Sequence, residues 1–105
     1  MTTTFVSLAQ AMSARRGNVR AWLYQDGPVR AGVRDNGEAY RLKDVVFTDD
    51  TAQCKGTVWT QWADKIRPGA MYEICNAQWK EWDGQLTLGV GKHARVKETG
   101  QVPGT

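Results

Sequence analysis

Apolar and polar residues alternate with a period of two through much of this chain, which is the pattern of β-strands with one buried face. Val19, Ala21 and Leu23, for example, are separated by Arg20 and Trp22. Short breaks rich in Gly, Pro, Asn and Asp divide the alternating segments. The pattern predicts five strands, at residues 19–33, 40–47, 53–59, 71–77 and 85–90.

The breaks predict how these strands are connected. Asp26-Gly27-Pro28 indicates a bulge or bend inside the long first strand, because proline cannot donate to a ladder. Asn36-Gly37 is a strong hairpin signal, and residues 48–51 and Asp83-Gly84 form further turns. We expect helical turns at residues 7–13 and 62–66, and a loop or strand end at 79–82. Residues 92–96 could extend the fifth strand beyond a kink at Gly91. Residues 98–105 are expected to form a flexible tail, because they lack apolar periodicity.

Five strands, a bent first strand and a short helical connection between strands 3 and 4 predict an all-β fold. A five-stranded OB-fold barrel fits, since closure removes sheet edges and a bent first strand can pair on both sides. A small open sandwich is the alternative. The predicted organisation is an N-terminal segment at 1–17, the barrel at 18–97 and the tail at 98–105.

The composition is that of one small globular domain with a weakly basic surface. The chain has 105 residues, 41% hydrophobic and 24% charged, with a net charge of +3 and a pI of about 9.1. This balance suits an anionic partner, although three charges steer weakly. We expect no membrane segment, because no apolar run approaches about 20 residues, and an intracellular protein, in the nucleoid or nucleus, without a secretory signal.

The sequence argues against an enzyme and against a bound metal or cofactor. It has one histidine, His93, no Ser/His/Asp set and no phosphate-binding glycine loop. Asp49-Asp50 is more typical of a turn than of a carboxylate pair. Cys54 and Cys75 are too few for a zinc site, and we interpret them as buried free thiols.

Residues 54–91 hold four of the five tryptophans, Trp59, Trp62, Trp79 and Trp82, set among strand-like and basic residues. Exposed aromatic faces beside positive charge are suited to stacking unpaired bases and holding their phosphates. Trp62 is expected to plug one end of the barrel instead. At least one of Trp79 and Trp82 should be exposed, because both flank a short polar segment.

Alternation assigns a binding face to two strands. Lys55, Thr57 and Trp59 share one face of the third strand, opposite Cys54, Gly56 and Val58. Gln85, Thr87 and Gly89 of the fifth strand face the same groove, with Leu86, Leu88 and Val90 inward. Trp22 could join this platform or cover the bend of the first strand.

Basic residues on and around these strands are candidate phosphate contacts. Arg41 and Lys43 share a face of the second strand, which alternation would continue into Val45 and Phe47, so a bulge near Asp44 is expected. The candidates are Arg30, Arg34, Arg41, Lys43, Lys55, Lys80 and Lys92.

The order of several motifs resembles a known family. An acidic turn, a strand ending in tryptophan, a short helix, a basic proline–glycine turn, a strand, an aromatic pair and a glycine hairpin follow one another. The chain is similar in this to the simple single-stranded DNA-binding proteins of archaeal and eukaryotic type, which are related to the barrels of replication protein A. The resemblance covers roughly residues 18–96, and its motif residues are Asp49-Asp50, Trp59, Arg67-Pro68-Gly69, Trp79, Trp82 and Gly84-Gln85-Leu86-Thr87-Leu88.

The resemblance implies base stacking on Trp59 and Trp82, and places a third family aromatic at Gln78, next to Trp79. The expected function is sequence-tolerant binding of single-stranded DNA that protects exposed strands in replication, recombination or repair. Single-stranded RNA binding and a protein-interaction module of a larger complex are the alternatives, and a monomer or an assembly along the strand is open. The predicted site residues are Trp59, Trp79, Trp82, Lys55, Thr57, Arg34, Arg41, Lys43, Lys80, Gln85 and Thr87.

Overall fold

A computed structural model describes residues 4–91 and 94–101, except for the side chains of Gln61, Trp82 and Gln101. Within this part of the chain there are seven strands and two helices, and neither helix is long and apolar enough to cross a membrane. The elements are α1 (Leu8–Ala14), β1 (Arg16–Gln25), β2 (Arg30–Val33), β3 (Ala39–Thr48), β4 (Gln53–Trp59), α2 (Gln61–Lys65), β5 (Ala70–Trp82), β6 (Gln85–Val90) and β7 (Arg95–Gln101).

Five of the strands close into a barrel. β1 pairs with β3, β3 with β4, β4 in parallel with β6, β6 with β5, and β5 with β1. The remaining two lie outside the ring, β2 along β3 and β7 along β5. Helix α2 connects the third and fourth barrel strands, β4 and β5. The predicted closed five-stranded barrel is therefore confirmed, and the open sandwich is wrong.

The predicted first strand is two strands in the structure. β1 ends at Gln25 and β2 begins at Arg30, so the break at residues 26–29 is a complete loop and not a bulge. A Cβ added to Gly27 would lie 2.4 Å from the backbone oxygen of Asp44, so this loop crosses closely over β3. Pro28 cannot continue a ladder there. As expected, β1 pairs on both sides, with a register shift at Leu23/Gln25 against β3.

β5 is longer than predicted, and the facing of its side chains reverses at Asn76. Buried residues fall at even positions from Ala70 to Ile74 and at odd positions from Ala77 to Trp79. Asn76 has a positive φ of 59°, and one extra residue of this kind reverses the alternation, as in a β-bulge. The strand therefore continues through residues 79–82, where a loop or strand end was expected.

Residues 98–101 are not part of a flexible tail. They belong to β7, where Glu98 pairs with Tyr72 and Gly100 with Met71 across the edge of β5. Most side chains of β7 are exposed, so the strand is fixed by backbone hydrogen bonds that leave no apolar periodicity in the sequence. The rest of the predicted tail, 102–105, and Lys92 and His93 lie outside the described residues.

The barrel interior is filled by one apolar cluster. Phe47, Ile66, Ile74, Leu88 and Val90 are each fully buried. The Phe47 ring lies over the backbone of the neighbouring strand, because a Cβ added to Gly56 would come within 2.8 Å of it. Only glycine at position 56 allows the Phe47 ring to lie this close to the β4 backbone.

Helix α1 begins with a capping box and closes one end of the barrel. Ser7 is the N-cap, its hydroxyl accepts from Gln10 N–H, and the Gln10 side chain accepts from Ser7 N–H in return. Leu8 and Ala11 are fully buried against the barrel. The Asp49 carboxylate accepts from Leu8 N–H at 2.8 Å, which ties the first turn of α1 to the β3–β4 turn. The helical turns predicted near residues 7–13 and 62–66 are confirmed.

The Asp49 carboxylate should make the docking of α1 pH-dependent. Burial opposes its ionisation, but hydrogen bonds from Thr51 Oγ1 and from the N–H groups of Leu8, Thr51 and Ala52 outweigh burial and lower its pKa below 3.8. A carboxylate whose pKa is lower in the folded state than in the unfolded state stabilises the fold. This stabilisation is complete above the pKa of the unfolded state and is lost as the pH falls through the pKa of the folded state.

We therefore expect Asp49→Asn to lower the free energy of unfolding at pH 7 by about 1 kcal/mol, with Asp50→Asn as the neutral control. Denaturant titrations at pH 7 and at pH 2–3 measure this. The difference between wild type and Asp49→Asn should shrink in acid. A difference that stays constant with pH would show that the carboxylate charge is not responsible.

Candidate nucleic-acid interface

An open groove of about 1300 Å³ crosses the outer faces of β3, β4, β6 and β5. The loop between β1 and β2 forms one wall, with Gln25, Asp26 and Gly27 on the lining. The floor consists of three central strands, β4, β6 and β5, joined without a break in hydrogen bonding. A groove of this shape accepts an extended chain better than a compact small molecule.

Two rows of side chains cross the floor from strand to strand. In the first row Thr87 of β6 pairs with Lys55 of β4 on one side and with Lys80 of β5 on the other. In the second row Gly89 pairs with Thr57 and Gln78, and Thr57 in turn pairs with Asp44 of β3. Rows two residues apart along a strand are separated by roughly 7 Å, close to the spacing of extended nucleotides.

The alternation predicted for both floor strands agrees with the structure. Cys54, Gly56 and Val58 of β4 are buried, whereas Lys55 is exposed and Thr57 and Trp59 are half-buried on the groove side. On β6 Leu88 and Val90 are buried, and the side chains directed outward are those of Gln85 and Thr87, together with Gly89. The structure thus brings together six of the predicted site residues, namely Lys55, Thr57, Trp59, Lys80, Gln85 and Thr87.

Trp59 lies at one end of this floor in a small aromatic cluster. Its ring centroid is 5.9 Å from that of Tyr40, with an angle of 51° between the planes. The guanidinium carbon of Arg34 is 5.8 Å from the Trp59 centroid and 5.9 Å from the Tyr40 centroid, within cation–π range of both. The β2–β3 hairpin therefore places Arg34, a predicted site residue, beside Trp59.

Tyr40 was missed by the sequence reasoning. Leu42 pairs directly with Trp59, and Tyr40, two residues earlier, lies on the same face of β3. The signal was present in the alternation of the second strand, which groups Tyr40 with Leu42. Alternation alone does not show that Trp59 lies on the neighbouring strand beside this face.

Gly89 opens the centre of the floor. A Cβ added there would meet no heavy atom within 4 Å, so the position is free space above the backbone. A ligand can approach the β6 backbone at this point more closely than at any residue with a side chain.

Trp79, one of the predicted site residues, is buried and does not reach the groove. Trp79 is 3% exposed and belongs to the core cluster. The reversal at Asn76 is the reason, because it turns Ala77 and Trp79 inward and directs Gln78 and Lys80 into the groove. Gln78, where the family resemblance places an aromatic, is thus the groove residue. The side chain of Trp82 lies outside the described residues, so its role in stacking stays a prediction.

Lys43 and Arg41 are not in the groove. The expected bulge near Asp44 is absent, since β3 and β4 keep one register from Leu42/Trp59 to Thr48/Gln53. Lys43 therefore points inward with Val45 and Phe47 and is 4% exposed. Its ammonium pairs with Asp26 at 2.9 Å and donates to the Ile66 carbonyl.

Arg41 forms a two-pronged ion pair instead of facing the groove. Its guanidinium nitrogens lie 2.5 and 2.6 Å from the two carboxylate oxygens of Asp64 on α2. The pair is about half exposed, so it fixes the position of the helix with little net stabilisation. Neither basic residue of this strand is available to a phosphate in the arrangement described.

Among the described residues, the groove lining carries three basic and three acidic side chains. Arg30, Lys55 and Lys80 are the basic residues, and Asp26, Asp44 and Asp83 are the acidic ones. Arg30 is paired with Asp44 at 2.6 Å. In the described part of the chain neither Lys55 nor Lys80 has an ion-pair partner, so these two are the ones that can meet an anion without first breaking a pair.

Trp62 and Cys54 pack as predicted, whereas Cys75 is less buried than predicted. Trp62 is half-buried against the core, with Lys65 Nζ 5.5 Å from its ring centroid. Cys54 is buried and Cys75 half-buried, and both are free thiols. Burial raises the pKa of Cys54 to about 11, so its thiol is neutral at physiological pH. Among the described residues no group of three or more His, Cys, Asp or Glu could hold a metal ion.

The fold is shared with solved domains of replication proteins. No family model matches the sequence, and no curated protein matches it significantly. The chain is similar to the second OB-fold domain of replication protein A from Methanococcus maripaludis, with a TM-score of 0.72 and 22% identity over 90% of this chain and 94% of that one. It is also similar to DNA-binding domain A of replication protein A from S. cerevisiae, with a TM-score of 0.68 and 14% identity over 93% and 96%.

A third neighbour is a structure of a replication protein A heterotrimer bound to single-stranded DNA. The TM-score is 0.63 with 17% identity, and the match covers 81% of this chain and 22% of that one. At these identities the comparisons establish that the chain has the OB fold.

Because Trp79 is buried and Trp59 is not, alanine substitutions at the two positions should lower the free energy of unfolding by different amounts. Trp79→Ala should lower the free energy of unfolding by roughly 3–5 kcal/mol, because it empties a large volume inside the barrel. Trp59→Ala, at a half-buried position, should cost much less. Thermal and denaturant unfolding of both variants measure this, and equal melting temperatures for the two would contradict the placement of Trp79 in the core.

Proposed function

We propose that this protein binds single-stranded DNA in the groove, with little dependence on sequence, and shields exposed strands during replication, recombination or repair. The observation that carries the proposal is one continuous floor with a half-buried Trp59 ring and an open backbone at Gly89. The same floor carries Lys55 and Lys80, which have no ion-pair partner in the described part of the chain. These are the parts that sequence-tolerant single-strand binding requires, namely a stacking platform and a basic track.

Trp59 and Tyr40 supply the stacking platform in this proposal. Every base has a π-face, so stacking on an indole contributes roughly 1–3 kcal/mol per base with little regard to sequence. Arg34 lies beside both rings and can contact either a stacked base or its phosphate. Duplex DNA cannot use the platform, because its bases are already stacked on each other.

Lys55 and Lys80 supply the phosphate contacts. They flank Thr87 in one row across three strands, so a backbone that crosses β6 would pass between two ammonium groups. The three carboxylates on the lining limit how much positive potential the groove can develop. The complex should therefore depend on salt only moderately, and stacking should carry most of the affinity.

The preference for DNA over RNA is supported by the neighbours that are described as DNA-binding or are bound to single-stranded DNA. The groove chemistry itself suits both polymers, since stacking and phosphate contacts are common to them and only the 2′-hydroxyl differs. Competition between DNA and RNA oligonucleotides of one sequence separates the two cases.

Titration with an oligothymidine should quench the tryptophan fluorescence, and a duplex of equal length should bind far more weakly. Trp59→Ala should weaken single-strand binding by about 1–3 kcal/mol while leaving the fold intact. Tyr24→Ala removes an aromatic ring that is 61% exposed and is not on the groove lining, so it serves as the matched control. Equal affinity for duplex and single strand would contradict the stacking mechanism.

The salt dependence should show a small number of phosphate contacts. For single strands the logarithm of the affinity falls with the logarithm of salt concentration by roughly 0.7 per phosphate neutralised, so about 2–4 contacts give a slope on the order of −1.5 to −3. Lys55→Ala should reduce this slope by about 0.7, the share of one contact. Lys97→Ala, an exposed lysine on β7 away from the groove, should leave it unchanged. If both variants behave alike, Lys55 is not a phosphate contact.

A further inference from the structure

Asp44 is a groove residue that the proposed mechanism does not use. Its carboxylate lies on the lining of a site for a polyanion, and its side chain is 66% exposed. An exposed carboxylate in such a site repels phosphate unless it makes a compensating contact. Its position therefore needs an explanation other than backbone binding.

We infer that Asp44 reads the base stacked next to Trp59 and gives the groove a preference for cytosine over thymine. This inference rests on the proposed function, because it assigns a specificity to that same groove. A carboxylate accepts hydrogen bonds and donates none, and the exocyclic amino group of cytosine is the donor that Asp and Glu accept in base recognition. Thymine presents a carbonyl oxygen at the corresponding position.

The register of β3 and β4 places Asp44 within reach of such a base. Leu42 pairs with Trp59, and Asp44 pairs with Thr57 in the next row along the same face. The two rows are roughly 7 Å apart, about the width of a pyrimidine ring with its exocyclic group. A base lying against Trp59 and extending along the groove would direct its edge toward the Asp44 row.

The carboxylate is already oriented and partly neutralised. Arg30 Nη2 donates to Oδ2 at 2.6 Å, and Thr57 Oγ1 is 3.4 Å from Oδ1. An ionised carboxylate has about four lone-pair sites, so acceptor capacity remains on both oxygens after these contacts. Arg30 offsets the charge that would repel a nearby phosphate and leaves the carboxylate free to face a base edge.

A simpler role for Asp44 would be the ion pair alone, which links β2 to β3. Both members of that pair are more than 60% exposed, at 61% and 66%, and such surface pairs contribute little. If the ion pair were the whole role, neutralising Asp44 would improve the binding of every sequence equally. The two explanations therefore differ in what they predict for the ratio between the affinities for cytosine-containing and thymine-containing strands.

The test compares an oligodeoxycytidine and an oligothymidine of about nine nucleotides at pH 7.5, a length within the range bound by one domain of this fold. The wild-type protein should bind the cytidine oligomer about 5-fold more tightly, the scale of one partly solvated hydrogen bond to a charged group. Asp44→Asn replaces one acceptor with an amide donor that matches the thymine carbonyl. It should abolish or reverse the preference, whereas fluorescence-detected binding itself should persist.

Asp83→Asn is the matched control, because it removes the same charge from the groove lining at the β5–β6 turn. Residue 83 has a φ of 51°, which asparagine tolerates. This variant should bind both oligomers more tightly and keep their affinity ratio. An unchanged ratio in Asp44→Asn, or no cytidine preference in the wild type, would overturn the inference while leaving the proposed function intact. Failure of the wild type to bind either oligomer would instead overturn the proposed function.

Discussion

One backbone irregularity, at Asn76, determines which side chains of β5 face the core. Before it, β5 supports β7; after it, β5 pairs with β6 and forms a third of the groove floor. β1 pairs with β5 both before and after Asn76. The Asn18 side chain accepts from Asn76 N–H at 2.9 Å and so holds the irregularity from the neighbouring strand. Without the reversal, Trp79 would face solvent and Lys80 would face the core, which would lose both the packing and the basic row.

Positive charge in this domain is divided between structural and exposed roles. Lys43 is buried with Asp26 and the Ile66 carbonyl as partners, and Arg41 is bound to Asp64 on α2. Breaking the Lys43 contact would leave a buried charge uncompensated, which is far more costly than losing an exposed pair. The net charge of +3 therefore overstates what a ligand meets in the groove, where only Lys55 and Lys80 lack a carboxylate partner among the described residues.

Much of the fold could be predicted from local pattern. The bounds of β4 and β6 follow directly from alternation and turn residues, and so do the faces that carry Lys55, Trp59 and Thr87. The order of the sequence motifs between residues 18 and 96 also indicated the OB barrel. These features depend on the alternation of buried and exposed side chains along a strand, which is visible in the sequence as alternating apolar and polar residues.

The remaining features depend on interactions between distant segments, which leave no local signal. The facing of Trp79 depends on an extra residue held by Asn18, far away in the sequence. The inward position of Lys43 depends on finding Asp26 and a free carbonyl at the end of the barrel, and periodicity alone cannot reveal such partners. β7 is fixed by backbone bonds to the edge of β5, so its side chains carry no pattern.

Because β4 pairs in parallel with β6, the groove floor is complete only when the whole barrel has folded. Lys55 to Val58 pair with Thr87 to Val90, segments separated by α2 and the whole of β5. Such non-local pairing requires closure of the intervening loop before the contacts are gained, so it is intrinsically slow to form. A chain that has not yet added β6 lacks the central strand of the floor, and its Lys55 is not yet beside Thr87. A ligand of this groove therefore selects the fully folded molecule, and its concentration sets the apparent thermal stability of the domain through mass action.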